Sequence, residues 1–143
     1  AQRLALTLHR ATSLVDRVAD AYLRPAHGIG ISAFAALVTI DALGPARQRA
    51  IAAGLGVSRP AVTQRLADLT ARGLVEVVDD PTNRRARLVS LSSSGRTLLS
   101  RAWDGLARSQ DGIERGVDLV ALEAALDRLI SNAEAHLESL GTA

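Results

Sequence analysis

Apolar residues repeat with helical spacing along most of the chain, so the sequence predicts a mainly α-helical protein. Apolar residues that are spaced alternately four and three positions apart predict a long first helix over residues 2–24. Pro25 and the following glycines should end this helix. A second helix follows, with Ser32 as its predicted N-cap and Gly44 and Pro45 at its end. Because this second helix has few polar positions, we expect it to be buried on most sides.

Two short helices come next, and the joint between them is typical of a helix-turn-helix. The first is predicted over about residues 47–53 and the second over about 59–71, with a glycine-containing turn between them. Ser58 is placed to cap the second helix, and Pro60 falls in its first turn, where a missing N–H has no partner to lose. The inward-facing positions of this helix are predicted to be Val62, Leu66 and Leu69.

After Gly73 the apolar period changes from that of a helix to that of a strand. Strands are predicted over residues 74–78 and 86–91, and the charged turn formers at 79–85 predict a hairpin between them. Within the turn, Asp80 can pair across the hairpin with Arg85 or Arg87, which would orient the tip.

Two helices complete the chain: Ser92 should cap one that extends to about residue 115, and Asp118 should cap the last. The element order is that of a winged helix-turn-helix, so the predicted fold class is mainly α with a small β-hairpin wing. Within one compact domain, we expect the winged region at residues 31–99 and helical dimerisation regions at 1–30 and 100–143.

The charge distribution points to a polyanion as the partner of the middle of the chain. All 17 basic residues are Arg; from Arg47 to Arg96 there are nine, against four acidic residues, a formal charge of +5, whereas the remainder carries −3. Such a cationic segment suits a nucleic acid, although a merely solvated face is the alternative. Aromatic residues make up only 2% of the chain, which counts against a binder of single strands that stacks bases.

The composition also excludes several classes of protein. The absence of Cys excludes disulfide frameworks and thiol sensing and favours a reducing compartment. No apolar run approaches the length of a membrane span, so a cytoplasmic protein without membrane contact is expected. The three His residues are far apart, and no nucleophile–base pair or phosphate loop is evident. We therefore predict no enzymatic activity, no cofactor and no metal site.

The second helix of the helix-turn-helix is the predicted reading element, because a helix fits the major groove of B-DNA. Gln64 can bond adenine in a bidentate manner and Arg59 can do the same to guanine, while Ser58 suits a phosphate at the helix start. The predicted DNA-contacting residues of this helix are Ser58, Arg59, Pro60, Thr63, Gln64 and Arg65. The alternative is an exposed, capped helix without a DNA role.

The hairpin tip adds Arg84 and Arg85 to the predicted DNA-contacting set. Neighbouring residues of an extended chain point to opposite faces, so one of these side chains can reach an adjacent minor groove while the other turns back. For each Arg taken alone, a solvated turn remains an equal alternative.

Three segments resemble the MarR family (multiple antibiotic resistance regulator type) of bacterial transcription factors. These are residues 52–63 (AAGLGVSRPAVT), 69–75 (LTARGLV) and, most specifically, 80–95 (DPTNRRARLVSLSSSG). Asn83 stands where the family usually has Asp, so a carboxylate that would hold a wing Arg is missing, and Ser92 replaces the usual Thr without loss of the capping hydroxyl.

The resemblance implies a homodimer that binds pseudo-palindromic double-stranded DNA, usually as a repressor released by a small ligand. It also implies that the first and last helices form the dimer interface and that an effector cleft lies between the dimer helices and the winged helix. Tyr22, His27 and Phe34 can line this cleft, although for Tyr22 and Phe34 a place in the core is the favoured alternative. A separate argument also favours a dimer. The half-sites of a palindromic DNA site lie about 34 Å apart, which is beyond the reach of one small module. The rival hypothesis is a dimeric winged-helix protein-interaction module that does not bind DNA.

Overall fold

The computed structural model describes residues 2–141 and confirms the predicted fold class, mainly α with one antiparallel hairpin. The elements in chain order are α1 (Gln2–His27), α2 (Ile31–Leu43), α3 (Gln48–Leu55), α4 (Arg59–Ala71), β1 (Val75–Asp80), β2 (Asn83–Leu91), α5 (Ser93–Arg108) and α6 (Leu119–Ser139). The chain divides into two compact units between Ser109 and Gln110. The second unit contains α6, which begins at the predicted cap, where the Asp118 carboxylate accepts the Ala121 N–H at 3.1 Å.

The core of the first unit forms around α2, as its apolar sequence predicts. Phe34, Ala36, Leu37 and Ile40 of this helix are all buried. The predicted inward face of α4 is confirmed, because Val62, Leu66 and Leu69 are buried as well. Other elements complete the core with Leu23, Ile51, Leu74, Val75, Val89, Leu91, Leu99 and Ala102. This packing presents the opposite, polar face of α4 to solvent.

The first helix ends later than predicted, and the second has a different cap. Although Pro25 has no N–H, α1 continues to His27, because Gly28 closes the last turn by donating its N–H to the Arg24 carbonyl at 3.0 Å. Ser32 is not the N-cap of α2; Gly30 occupies that position. The carboxylate of Asp20 on α1 accepts the Ile31 N–H at 2.6 Å, so a neighbouring helix provides the capping acceptor.

The fifth helix ends earlier than predicted, at Arg108 rather than near residue 115. Beyond it, the Asp111 carboxylate accepts the Ile113 N–H at 3.0 Å, and Gly112 has a φ of 75°. An Asp that bonds the backbone two residues further on favours a turn over a helix, and the left-handed Gly completes it.

The hairpin is longer than predicted and is joined to the helix-turn-helix. Asp79, Asp80 and residues 83–85 belong to the strands rather than to the turn, with a register irregularity between Asp79 and Asp80. Ala46, just before α3, exchanges both backbone hydrogen bonds with Val89 of β2, at 3.1 and 2.8 Å. This bridge attaches β2 to the start of the helix-turn-helix.

No single helix within residues 2–141 combines the length and hydropathy of a membrane span. Only α1 and α2 taken together, across an 83° bend, meet that criterion.

Candidate nucleic-acid interface

The N-terminus of α4 is built as the sequence predicts. Ser58 adopts an extended conformation, and its hydroxyl accepts the Ala61 N–H at 3.3 Å, which confirms the cap. Arg59 and Pro60 follow in the first turn, and both are exposed. The structure therefore presents this predicted group of residues together at one exposed helix end.

Gln64 lies near the centre of the exposed face of α4. In a helix each residue turns by about 100°, so Gln64 points away from the buried side formed by Val62, Leu66 and Leu69. Its amide Nε2 donates a long hydrogen bond to the Asp68 carboxylate, at 3.5 Å. Because a hydrogen bond of this length is weak, the amide can exchange it for the bidentate bond that recognises adenine.

Thr63 is engaged within the protein. Its hydroxyl donates to the Arg59 carbonyl at 2.9 Å and accepts a hydrogen bond from the Gln48 side chain on α3. A hydroxyl has one donor, so Thr63 cannot donate to a base without giving up the Arg59 bond. Sequence reasoning missed Gln48, because the sequence does not reveal which α3 residue contacts α4.

Arg65 is placed differently from the other predicted residues of α4. One step beyond Gln64, it lies on the flank of the helix and is partly buried. There it lines a cleft together with Arg24 of α1 and Arg72 at the end of α4. Its position is at the edge of the exposed face of α4 rather than at its centre.

The wing tip is oriented by Asp80, but not through the predicted partners. Asp80 pairs with Arg47, the N-cap residue of α3, at 3.3 Å, and not with Arg85 or Arg87. The sequence suggests only partners within the hairpin, whereas Arg47 is 33 residues away in sequence and is brought close by the Ala46 bridge. Asp80 also accepts hydrogen bonds from the Thr82 hydroxyl at 2.7 Å and the Thr82 N–H at 2.9 Å.

These contacts hold the pKa of Asp80 below its ordinary value. The hydrogen bond from the Thr82 hydroxyl is the largest cause, followed by the one from the Thr82 N–H, and Arg47 contributes by hydrogen bonding and by its charge. Partial burial opposes them. Asp80 is therefore ionised at neutral pH, and the positive charge of Arg47 offsets its negative charge. The Asp80 carboxylate thus adds little net negative charge to the wing tip.

Lowering the pH should remove the stabilisation that ionised Asp80 provides. Because the folded-state pKa of Asp80 is lowered, its stabilising contribution is complete above the ordinary value of 3.8 and is lost as pH falls through the lower folded value. We expect Asp80→Asn to lower the free energy of unfolding at pH 7, with a difference from wild type that vanishes below the folded pKa. Urea denaturation of both proteins across this pH range checks it; a difference independent of pH would contradict it.

Arg84 and Arg85 are both exposed, and neither forms an ion pair with any residue that the structure describes. The Asn83 side chain accepts the Arg85 N–H at 3.1 Å, so the residue that departs from the family pattern still shapes the tip backbone. Ser92 caps α5 as predicted, accepting the Gly95 N–H at 3.0 Å. The wing therefore carries two cationic side chains that are available to phosphates.

Of the residues predicted for an effector cleft, Tyr22 and His27 contact each other, and Tyr22 also packs against the core cluster that contains Phe34. Tyr22 and His27 are partly buried and in contact, with the Tyr22 hydroxyl 3.1 Å from Nε2 of His27. Phe34 lies in the core and stacks on Trp103, with ring centroids 5.5 Å apart.

The structure is that of a winged-helix protein, in which a helix-turn-helix is joined to a β-hairpin wing. Residues 27–86, about two fifths of the chain, match the model of the MarR family, and the chain is similar in this segment to that family of transcriptional regulators. No curated protein is significantly similar in sequence.

Several solved structures of transcriptional regulators are similar over most of the chain. The transcriptional repressor CouR bound to a 23-mer DNA duplex is 29% identical, with a TM-score of 0.77, covering 91% of this chain and 92% of its own. Wild-type MarR from E. coli in its apo form is 26% identical, with a TM-score of 0.74 and coverages of 88% and 96%. A mutant MarR from E. coli complexed with operator DNA is 23% identical, with a TM-score of 0.78 and coverages of 89% and 93%.

Proposed function

We propose that this protein is a sequence-specific DNA-binding transcriptional regulator of the cytoplasm, without enzymatic activity. The observation that carries the proposal is the pair of exposed, unpaired wing arginines, Arg84 and Arg85, beside an Asp80 that Arg47 neutralises. This leaves the tip cationic, as contact with phosphates or a minor groove requires. The complex of CouR with duplex DNA supports the same role.

In this proposal α4 enters the major groove and the wing contacts the neighbouring backbone. Ser58, Arg59 and Pro60 meet the DNA at the helix start, and Gln64 reads a base edge from the centre of the face. Thr63 is held by Gln48 and contributes its methyl group and remaining acceptor capacity rather than a donor. Arg65 contacts a phosphate at the groove rim, because it lies on the flank of α4.

We further propose that the protein acts as a homodimer on a pseudo-palindromic operator. Apolar side chains of α1 are exposed, with Leu4, Leu14 and Val15 each about half accessible, and the same is true of Leu122 and Ile130 on α6. Exposed apolar surface of this extent marks an interaction site. A second copy would cover it and would supply the second reading helix that a palindrome requires.

We also propose that the protein is a repressor and that a small ligand releases it from DNA. Tyr22 and His27, which share a hydrogen bond, offer polar groups to such a ligand, whereas Phe34 is buried and could contact a ligand only if the core rearranged. The DNA-binding role does not depend on this step.

The test is the salt dependence of binding to random duplex DNA and to DNA flanking the gene of this protein. A binder that neutralises phosphates gives a steep linear fall of log affinity with log salt, with a slope of about −0.9 per phosphate contacted. We expect such a slope on both duplexes and tighter binding to the flanking DNA. The rival protein-interaction module would bind neither duplex at low salt while remaining folded.

A further inference from the structure

The hydroxyl of Thr63 is held from two sides, although the residue itself is exposed on α4. Its oxygen donates a hydrogen bond to the Arg59 carbonyl at 2.9 Å and accepts one from the amide N–H of Gln48. Arg59 lies one turn earlier on α4, whereas Gln48 is the first residue of α3. The Thr63 oxygen is therefore bound by its own helix and by the neighbouring helix at the same time.

These two hydrogen bonds also fix the position of the Thr63 methyl group. The Cβ atom of threonine carries a hydroxyl, a methyl group and a hydrogen in staggered positions, so the position of the oxygen determines that of the methyl. A threonine within a helix otherwise divides between two χ1 rotamers. Because the oxygen is turned towards the backbone and α3, the methyl group is the part of the side chain that remains for a partner in solvent.

The adjacent residues Thr63 and Gln64 offer different groups to a DNA groove. Both are exposed on α4. Gln64 has an amide whose bond to Asp68 is long, at 3.5 Å, so it can offer a donor and an acceptor to a base. Thr63 offers a methyl group, which forms no hydrogen bond. Among the four standard bases, only thymine exposes a methyl group of its own in the major groove.

We propose that Thr63 selects thymine by contact between the two methyl groups, and that Gln48 is the positioning residue that directs the Thr63 methyl into the groove. This rests on the proposed DNA-binding function and adds the base that Thr63 recognises. Gln48 acts through Thr63 rather than on DNA, because it is partly buried and its amide N–H is committed to the hydroxyl. Cytosine presents an amino donor and no methyl group, so Thr63 disfavours it.

The test compares two duplexes that differ only in the methyl groups of thymine. The DNA flanking the gene of this protein is synthesised once with thymidine and once with deoxyuridine, which lacks the methyl group and pairs in the same way. We expect the wild-type protein to bind the deoxyuridine duplex about fourfold more weakly for each thymine contacted, which corresponds to the burial of one methyl group. Equal affinities for the two duplexes would overturn the proposal.

Two variants of Thr63 distinguish the methyl contact from a change in DNA shape, which deoxyuridine can also cause. Thr63→Ser keeps the hydroxyl and removes the methyl group, so we expect it to bind the two duplexes alike. Thr63→Val keeps a methyl group and loses the hydrogen bonds, so its preference for thymidine should remain. If Thr63→Ser shows the full wild-type preference, the preference comes from DNA shape and the proposal is wrong.

Gln48→Met tests the positioning role, because methionine is similar in length but cannot donate a hydrogen bond. Without this donor Thr63 can occupy its second rotamer, so the preference for thymidine should fall from about fourfold to about twofold or less. A merely structural defect would weaken binding to both duplexes equally and leave their ratio unchanged. Gln110→Met, an exposed position in the second unit, is the matched control and should keep the wild-type ratio. A full preference in Gln48→Met would overturn the role of Gln48.

A random duplex separates failure of this proposal from failure of the proposed function. If the protein binds every duplex with a steep salt dependence but does not respond to the thymine methyl, DNA binding stands and only the role of Thr63 is overturned. If the protein binds no duplex at low salt while its circular dichroism spectrum shows it folded, both are overturned. The same spectrum is recorded for each variant, so that a loss of binding is not confused with a loss of folding.

Discussion

Replacing Gly95 by Ala should strongly destabilise the fold, although it adds only one methyl group. A Cβ at this position would lie 2.0 Å from the Leu74 carbonyl oxygen, which is backbone and cannot rotate away. That oxygen also accepts the Ser92 N–H at 3.0 Å. We expect Gly95→Ala to lower the free energy of unfolding by about 3 kcal/mol, even though Ala is favoured over Gly in a helix by about 1 kcal/mol.

Urea denaturation at fixed protein concentration measures this effect, with Ser94→Ala as the control. Ser94 is the preceding residue of α5 and is exposed, so its replacement should change the free energy of unfolding by about 0.5 kcal/mol or less. If Gly95→Ala is as stable as Ser94→Ala, then α5 does not approach the Leu74 backbone as closely as the structure shows.

Removing both wing arginines should have the largest effect on DNA binding. In the proposed function, Arg84 and Arg85 are the free cations of the tip, so the double change to Ala should weaken duplex binding at low salt by about ten- to a hundredfold. The slope of log affinity against log salt should become shallower by about 0.9 for each phosphate that is no longer neutralised. Fluorescence titrations at several salt concentrations measure both quantities.

The matched control for the wing is a double change of Arg115 and Arg128 to Ala. Both residues are exposed and belong to the second unit, so the net charge changes equally outside the wing. Single variants extend the test, because adjacent strand residues point to opposite faces and should contribute unequally. If the two single variants and the double variant all bind as wild type does, the wing has no part in the mechanism.

Features set by neighbouring residues can be predicted well from the sequence. Ser58, Ser92 and Asp118 are recognisable as caps because an N-cap depends on a side chain and the N–H group three residues later, and all three caps are present. The buried face of α4 follows equally from helical periodicity. The glycine of the family pattern, Gly95, acquires its physical reason only in the structure, through its approach to Leu74.

Features set by distant residues cannot be predicted in this way. Asp20 replaces Ser32 as the capping acceptor of α2, and Arg47 replaces Arg85 or Arg87 as the partner of Asp80. In both cases a local partner is chemically adequate, but the fold brings a remote one closer. The position of Arg65 on the flank of α4 depends in the same way on helix packing.

The short bridge between Ala46 and Val89 constrains how α3 and the wing can move relative to each other. Because the two residues exchange both backbone hydrogen bonds, a displacement of the connection between α2 and α3 pulls β2 along with it. A shift of α2 is thereby transmitted to the hairpin as well as to α3. In the proposed DNA complex, the contacts of α4 with the major groove and those of the wing would therefore be lost together rather than one after the other.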